Sequence, residues 1–231
     1  LDNSAVTTVT LEGQSVLETV DFTGCNALRE LTLSNCSKFK TLNLTNLPSL
    51  TTVRITNCPE LETINIDMNN STNNLTVTLV ETPGLKTFRL NKCYGTESSI
   101  SLTGATNLET LALTDCQFEK VIISSEAKQT IKTLNFNSSA IYKLCFNSDY
   151  QTNEIDLSEF TCINNNEADF DFRNSQVKYI RFRNDENNPI KIKRAFTGCT
   201  ELCQILGHID LATSGIFNGC SLFSVFNTNI D

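Results

Sequence analysis

The sequence predicts a mostly β solenoid whose turns of about 22 residues each carry two short strands, laid into two parallel sheets. Three observations carry that expectation. From Leu17 the pattern [LF]-x-x-[VIL]-x-[FLI]-x-x-[CLN]-x-x recurs every eleven residues, as in LETVDFTGCNA, LRELTLSNCSK, FKTLNLTNLPS and LTTVRITNCPE. Within each unit the fourth and sixth positions alternate with polar neighbours, as a half-buried strand requires. Read in pairs, every second unit also brings chemically matched outward residues into register, although those residues play no part in defining the repeat.

Units start at Val6, Leu17, Leu28, Phe39, Leu50 and Leu61 without an insertion. Later ones start near Asn74, Leu85, Glu97, Leu108, Phe118, Ile131, Ile141, Thr152, Glu167 and Val177. Phe88/Leu90, Leu111/Leu113, Leu134/Phe136, Leu144/Phe146, Ile155/Leu157, Phe170/Phe172, Ile180/Phe182 and Ile190/Ile192 take the inward positions. Eleven residues are too few for a full solenoid coil, which needs about 20 or more. Two units therefore make one turn, and the units at Leu17, Phe39, Leu61, Leu85, Leu108 and Ile131 form one sheet. Residues 1–231 read as one domain, with a start or cap over 1–16, regular half-repeats over 17–194, and a changed repeat with a terminal cap over 195–231.

Across that sheet, equivalent positions stack about 4.8 Å apart. The third position reads Thr19, Thr41, Thr63, Thr87, Thr110, Thr133, an unbroken threonine ladder. The second reads Glu18, Lys40, Glu62, Lys86, Glu109, Lys132, alternating in sign. Like charges stacked in register repel, whereas alternation makes each neighbour an ion pair. An exposed pair contributes only about 0.2–1 kcal/mol, so the column selects register more than it adds stability. Further along, Glu154 and Asp156 are expected across from Tyr179 and Arg181 in one sheet. Asp169 and Asp171 are expected to face Lys143 and Lys191 in the other. Glu167, Asp169 and Asp171 alternate along one strand but lack the glycine-centred loop of an EF-hand, so they read as cross-strand ion-pair partners rather than a calcium site.

The segment L-x-x-L-x-L-x-x-[NC] resembles the strand of leucine-rich repeats over nearly the whole chain, and the alternating half-repeats look like those of secreted leucine-rich-repeat proteins from Bacteroides-type bacteria. Residues 195–220, AFTGCTELCQILGHIDLATSGIFNGC, are similar to the BspA-like repeat A-F-x-x-C-x-x-L-x-x-I, matched by Ala195, Phe196, Cys199, Leu202 and Ile205, with Phe217 and Cys220 opening the next copy. The resemblance implies a cell-surface or secreted protein engaged in protein binding or adhesion. The Thr- and Asn-rich faces depart from a strong binder in lacking exposed aromatic clusters.

Ten cysteines in an exported chain suggest disulfides, but their positions point elsewhere. Cys25, Cys36, Cys58, Cys93 and Cys116 hold the ninth position, shared with Leu47 and Asn69, where a thiol acts as a small apolar residue. Cys199 and Cys220 fit the equivalent slot of the later repeat. Cys145, Cys162 and Cys203 fall outside it, and a bridge among them stays open. Zinc is disfavoured: there is no C-x-x-C, and His208 is the single histidine. The same count leaves a Ser-His-Asp triad only His208, which reads as a surface or capping-turn residue. Phosphate-loop, dinucleotide and HExxH motifs are absent. No enzyme, no cofactor and no metal is the expectation.

A net charge of −8 with a pI near 4.8 gives no electrostatic footprint for nucleic acid, and no apolar run reaches the roughly 20 residues of a membrane span. The basic group Lys178, Arg181, Arg183, Lys191, Lys193 and Arg194 is interrupted by Asp185 and Glu186 and reads as a solvated, ion-paired face. Opening on Leu1 fits removal of a signal or lipid anchor upstream, hence an extracellular, cell-surface or periplasmic location. The expected function is a non-catalytic scaffold for another protein. Its reading face is the outward row beside the threonine ladder: Asp21, Asn43, Asn65, Arg89 and Asn135. Tyr179 and Arg181 extend that face. Carbohydrate binding through the Asn and Thr ladders, with Tyr142 and Tyr179 the only tyrosines on outward strand positions, is the alternative, as is a structural spacer within a larger surface protein.

Overall fold

The computed structural model describes residues 5–118, 120–124, 126–131, 133–141, 144–146, 155–157, 167–171, 178–182, 184–185, 190–192, 196–207, 209–211, 217–220 and 225–227. The chain is a β-solenoid of stacked parallel strands. An eleven-stranded sheet contains Thr8–Glu12, Glu30–Ser34, Thr52–Thr56, Thr76–Val80, Ser99–Leu102, Lys120–Ile123, Leu144–Phe146, Ile155–Leu157, Tyr179–Phe182, Gln204–Leu206 and Val225–Asn227, in that spatial order. An eight-stranded sheet contains Thr41–Thr45, Thr63–Ser71, Thr87–Cys93, Thr110–Thr114, Thr133–Asn135, Glu167–Asp171, Ile190–Ile192 and Ile209–Leu211. Among the described residues the only helical piece is the short 3-10 segment Glu126–Gln129.

The pairing of units into turns is borne out in atomic detail. Thr41 pairs with Thr63, Thr63 with Thr87, Thr87 with Thr110 and Thr110 with Thr133, and an isolated bridge adds Thr19 below Thr41. Between the sheets lies one continuous apolar strip. Leu31, Leu33, Leu42, Leu44, Val53, Ile55, Phe88, Leu90, Leu111 and Leu113 are all fully buried, each contributing about 1.5–3 kcal/mol of transfer free energy. Phe196, Cys199, Leu202 and Ile205 are buried in the same way, and Phe196 stacks on Phe217 with ring centroids 5.5 Å apart.

Most corners place a left-handed residue after the strand, although the one after Ser99–Leu102 does not. Asn35, Asn46, Asn57, Glu81, Lys92, Asp115 and Ser138 have φ between 51° and 57°, and Gly13 and Gly24 take the same place at 65° and 82°. Glycine and asparagine enter this conformation at least cost, which accounts for their recurrence at the eighth position of the early units. The next residue then drops into the core. Cys25, Cys36, Cys58, Cys93, Cys116 and Cys199 are buried there as free thiols. Cys116 Sγ donates to the carbonyls of Thr114 (3.1 Å) and, one turn below, Leu90 (3.4 Å). The thiol thus serves as a small core group that also satisfies a corner carbonyl. Cys203 and Cys220 are half-buried and also free.

Three sequence expectations need correction. Asn69 is exposed, with φ of 50°, and does not share the cysteine slot. Two extra corner residues, Asn69 and Asn70, carry the chain outward, and Ser71 pairs with Cys93 instead, donating to the Pro48 carbonyl at 2.7 Å. Strand alternation also slips once, because Leu144–Phe146 and Ile155–Leu157 lie side by side in the eleven-stranded sheet through Leu144 and Ile155. Beyond that point the sheet assignments exchange. Asp156 does pair with Arg181, but in the eleven-stranded sheet. Lastly, Asp169 and Asp171 pair with Thr133 and Asn135, while Lys191 faces Glu167. The strand that follows Lys143 belongs to the other sheet. Lys132, Tyr142, Lys143, Glu154, Cys162, Phe172, Arg183, Glu186, Lys193, Arg194, Ala195 and His208 lie outside the described residues.

Tight stacking makes a glycine critical. A Cβ on Gly84 would lie 2.2 Å from the Pro59 carbonyl oxygen of the turn below. Gly84→Ala is therefore expected to destabilise the fold by about 1–3 kcal/mol, measured by urea unfolding. Thr82 holds a ninth-position slot with its hydroxyl buried and unpartnered. Thr82→Val keeps the shape and removes the orphan group, so it should stabilise by about 1 kcal/mol; a lower melting temperature would refute this.

Burial pushes the thiol pKa values of Cys58, Cys93 and Cys116 up. The unfolded chain then loses those protons first. This part of the stability is fully present below the ordinary thiol value of about 8.5 and falls as pH rises past it, by up to ~1.4 kcal/mol per pH unit per thiol. Urea titrations from pH 7 to pH 10 under reducing conditions should show that decline, and it should shrink in Cys116→Ala measured against its own value at pH 7.

Candidate binding face

The eight-stranded sheet turns three outward columns to solvent. Its threonine column is half-buried from Thr41 through Thr63, Thr87, Thr110 and Thr133. Beside it the charged column pairs at alternate steps: Lys40 Nζ lies 3.3 Å from Glu18 Oε2 and Lys86 Nζ lies 3.8 Å from Glu62 Oε1, while Lys40 and Glu62 form no ion pair. At the corner Lys38 pairs with Glu60, which raises the lysine pKa and lowers that of the carboxyl through their hydrogen bond. On the far side of the face Lys92 Nζ lies 3.8 Å from Asp67 Oδ2.

The candidate row runs between these columns. Asn43 pairs with Asn65, Asn65 with Arg89, and Arg89 with Ala112, which pairs with Asn135. Asn65 Nδ2 donates to Asn43 Oδ1 at 2.9 Å, so the two amides satisfy one another. Asn135 Oδ1 accepts the Asn137 N–H at 3.0 Å and secures the following corner. Asp21 lies outside the strands. Its carboxylate accepts from Thr23, whose side chain and N–H both lower its pKa. Four of the five expected row residues therefore have an internal task.

Arg89 differs. It is exposed on the third of the eight strands, and no hydrogen bond or ion pair to its guanidinium is found among the described residues. Its neighbour above is Ala112, which is buried to 8% exposure and offers the guanidinium no polar or charged partner. Ala112 was the residue missing from the row as read in sequence; its place is fixed by the 23-residue step from Arg89, but a small apolar side chain gives no chemical signal.

Tyr179 and Arg181 do not belong to this face. Both are exposed, Tyr179 to 41%, on the eleven-stranded sheet, with Tyr179 beside Gln204 and Arg181 between Asp156 and Leu206. The strand slip at Ile155 puts them there. Lys178 Nζ lies 3.8 Å from Glu201 Oε2, so this part of the basic group is ion-paired. Among the described residues no three His, Cys, Asp or Glu side chains are grouped as metal ligands, and no helix is long and apolar enough to cross a membrane. Comparison of the chain with protein-family models, with curated proteins and with solved structures gives no match.

Proposed function

We propose that the chain is a non-catalytic protein-binding or adhesion scaffold of the leucine-rich-repeat kind, displayed on or secreted from a bacterial cell, and that it reads its partner with the eight-stranded sheet around Arg89. The supporting observation is the difference in commitment between side chains. The cations of Lys40, Lys86 and Lys92 each have a carboxylate within 4 Å, and the asparagines bond to one another. Arg89 alone in the row offers an unspent bidentate donor, and arginine is a frequent hot spot in protein interfaces. The partner surface that fits is one presenting a carboxylate or a run of carbonyl oxygens over Ala112. Carbohydrate binding is the second reading, supported by the exposed Tyr179 ring beside Arg181 on the opposite sheet.

The two readings separate experimentally. A photocrosslinking residue at position 65, beside Arg89, is expected to capture a discrete protein partner, and the same probe at Thr32 on the other sheet is not. Arg89→Glu should reduce capture at least about tenfold, the scale of one lost charged hydrogen bond, while leaving the melting temperature nearly unchanged. Equal capture from both positions would refute the face assignment. Glycan binding abolished by Tyr179→Ala, with Arg89→Glu silent, would replace this reading with the second.

A further inference from the structure

The corner F-x-G-C occurs three times in the chain, as Phe22–Cys25, Phe196–Cys199 and Phe217–Cys220. Its third residue is left-handed each time, with φ of 82° at Gly24, 77° at Gly198 and 79° at Gly219, and glycine takes that conformation at least cost. The second residue is Thr23, Thr197 or Asn218, and only the last carries a carbonyl carbon on its side chain. Asn218 also makes the single Asn-Gly step of the sequence. The two later corners lie one on the other. Phe196 stacks on Phe217 with ring centroids 5.5 Å apart, Cys220 Sγ donates to the Phe196 carbonyl at 3.0 Å, and a Cβ on Gly219 would stand 3.4 Å from Gly198 Cα.

Three features of the Asn218–Gly219 peptide bear on its chemistry. Both residues are exposed, so hydroxide reaches them, and glycine adds no side chain to shield its nitrogen. Among the described residues neither the Gly219 N–H nor the Asn218 side-chain amide has a hydrogen bond. The carbonyl oxygen of the same peptide, by contrast, accepts the Gly198 N–H at 2.7 Å. A donor on that oxygen stabilises the negative charge that the peptide acquires when its own N–H is deprotonated. Asparagines of the earlier turns differ: Asn35 and Asn43 hold Asn57 and Asn65 through their side chains, and Asn135 secures its own corner.

We propose that Asn218 is a self-modification site, at which the chain converts its own side-chain amide to an acid and so loosens the corner at Phe217–Cys220. Hydroxide takes the Gly219 N–H proton, and the nitrogen attacks Asn218 Cγ. The N–Cγ bond forms, the Cγ–Nδ2 bond breaks, and ammonia leaves with a proton taken from water. Water then adds to either carbonyl of the resulting succinimide and opens it to an aspartyl or an isoaspartyl residue at position 218. Nothing is oxidised or reduced. The isoaspartyl product inserts a methylene into the main chain between the ring stack and the Gly198–Gly219 contact, and displaces the acceptor of the Gly198 N–H. Each turn of a solenoid contacts only its neighbours, so the effect stays at this end. The reaction involves neither the Arg89 face nor a partner.

The test incubates the full chain under reducing conditions at neutral and at mildly alkaline pH, followed by peptide mapping. The amide-to-acid mass change is expected first at Asn218, faster at the higher pH, with isoaspartate among the products. Asn218→Gln, whose amide would have to close a larger ring, should slow the change at this position at least about tenfold and leave the melting temperature nearly unchanged. In the modified chain, amide exchange at Gly198 should quicken by about tenfold or more, while Leu31 keeps its rate. Earlier conversion at an Asn-Ser step, Asn70 or Asn137, would overturn the site. So would an unmodified chain at a time when a free peptide of residues 215–221, GIFNGCS, has fully converted. Conversion at Asn218 with Gly198 exchange unaltered would overturn the loosening of the corner.

Discussion

Turn-on-turn stacking is the constraint from which the rest of this molecule follows. Each position in a turn has the same position of the next turn as its neighbour, about 4.8 Å away. A column must therefore be made of residues that tolerate their own kind or that alternate with a complement. Threonine tolerates itself, as in the run from Thr19 to Thr133. Asparagine does better, because one amide donates to the next, as Asn65 does to Asn43 and Asn57 to Asn35. Charge cannot repeat, and so Glu18, Lys40, Glu62 and Lys86 alternate.

The same constraint acts on the corners. A left-handed residue recurs at most half-turns, and the side chain after it enters the core. Thiol, hydroxyl and methyl all satisfy that second demand, with Cys116 and Ser139 reaching Leu90 and Leu113 carbonyls respectively. Adjacent cysteines in such a column are held by the stack at strand spacing, with parallel Cα–Cβ vectors. Disulfides prefer Cβ atoms about 3.8 Å apart, so this stacking favours separate thiols. In a chain with ten cysteines, position in the turn outweighs the number.

What was legible in the sequence, and what was not, divides along the same line. The threonine ladder, the charge alternation and the buried cysteines were readable because each depends only on a constant step between turns. The exchange of sheets after Leu144 was not, because Leu144/Phe146 and Ile155/Leu157 carry the same apolar spacing whichever sheet receives them. Asn69 misled for a related reason: Asn69 and Asn70 stretch that corner by two residues so that Ser71 takes the inward slot, and an asparagine suits both the left-handed corner and that slot by type. At the candidate face the row itself could be listed from periodicity. That Asn43, Asn65, Asn135 and Asp21 are occupied with internal bonds while Arg89 is not depends on geometry, and no pattern of residue types contains it.

A scaffold of this kind narrows its own possibilities for recognition. Most polar groups on its faces are satisfied by the turn above or below, so a partner that replaced those bonds would gain little for the desolvation involved. Affinity must come from groups that stacking leaves over. Among the described residues, exposed arginines on both sheets meet that condition. One is Arg89, where a cation breaks an asparagine row next to an alanine and so has no neighbour of opposite charge in its column. Another is Arg54, exposed between Thr32 and Thr78 on the eleven-stranded sheet. Each stands in a column whose strand neighbours carry no charge of opposite sign.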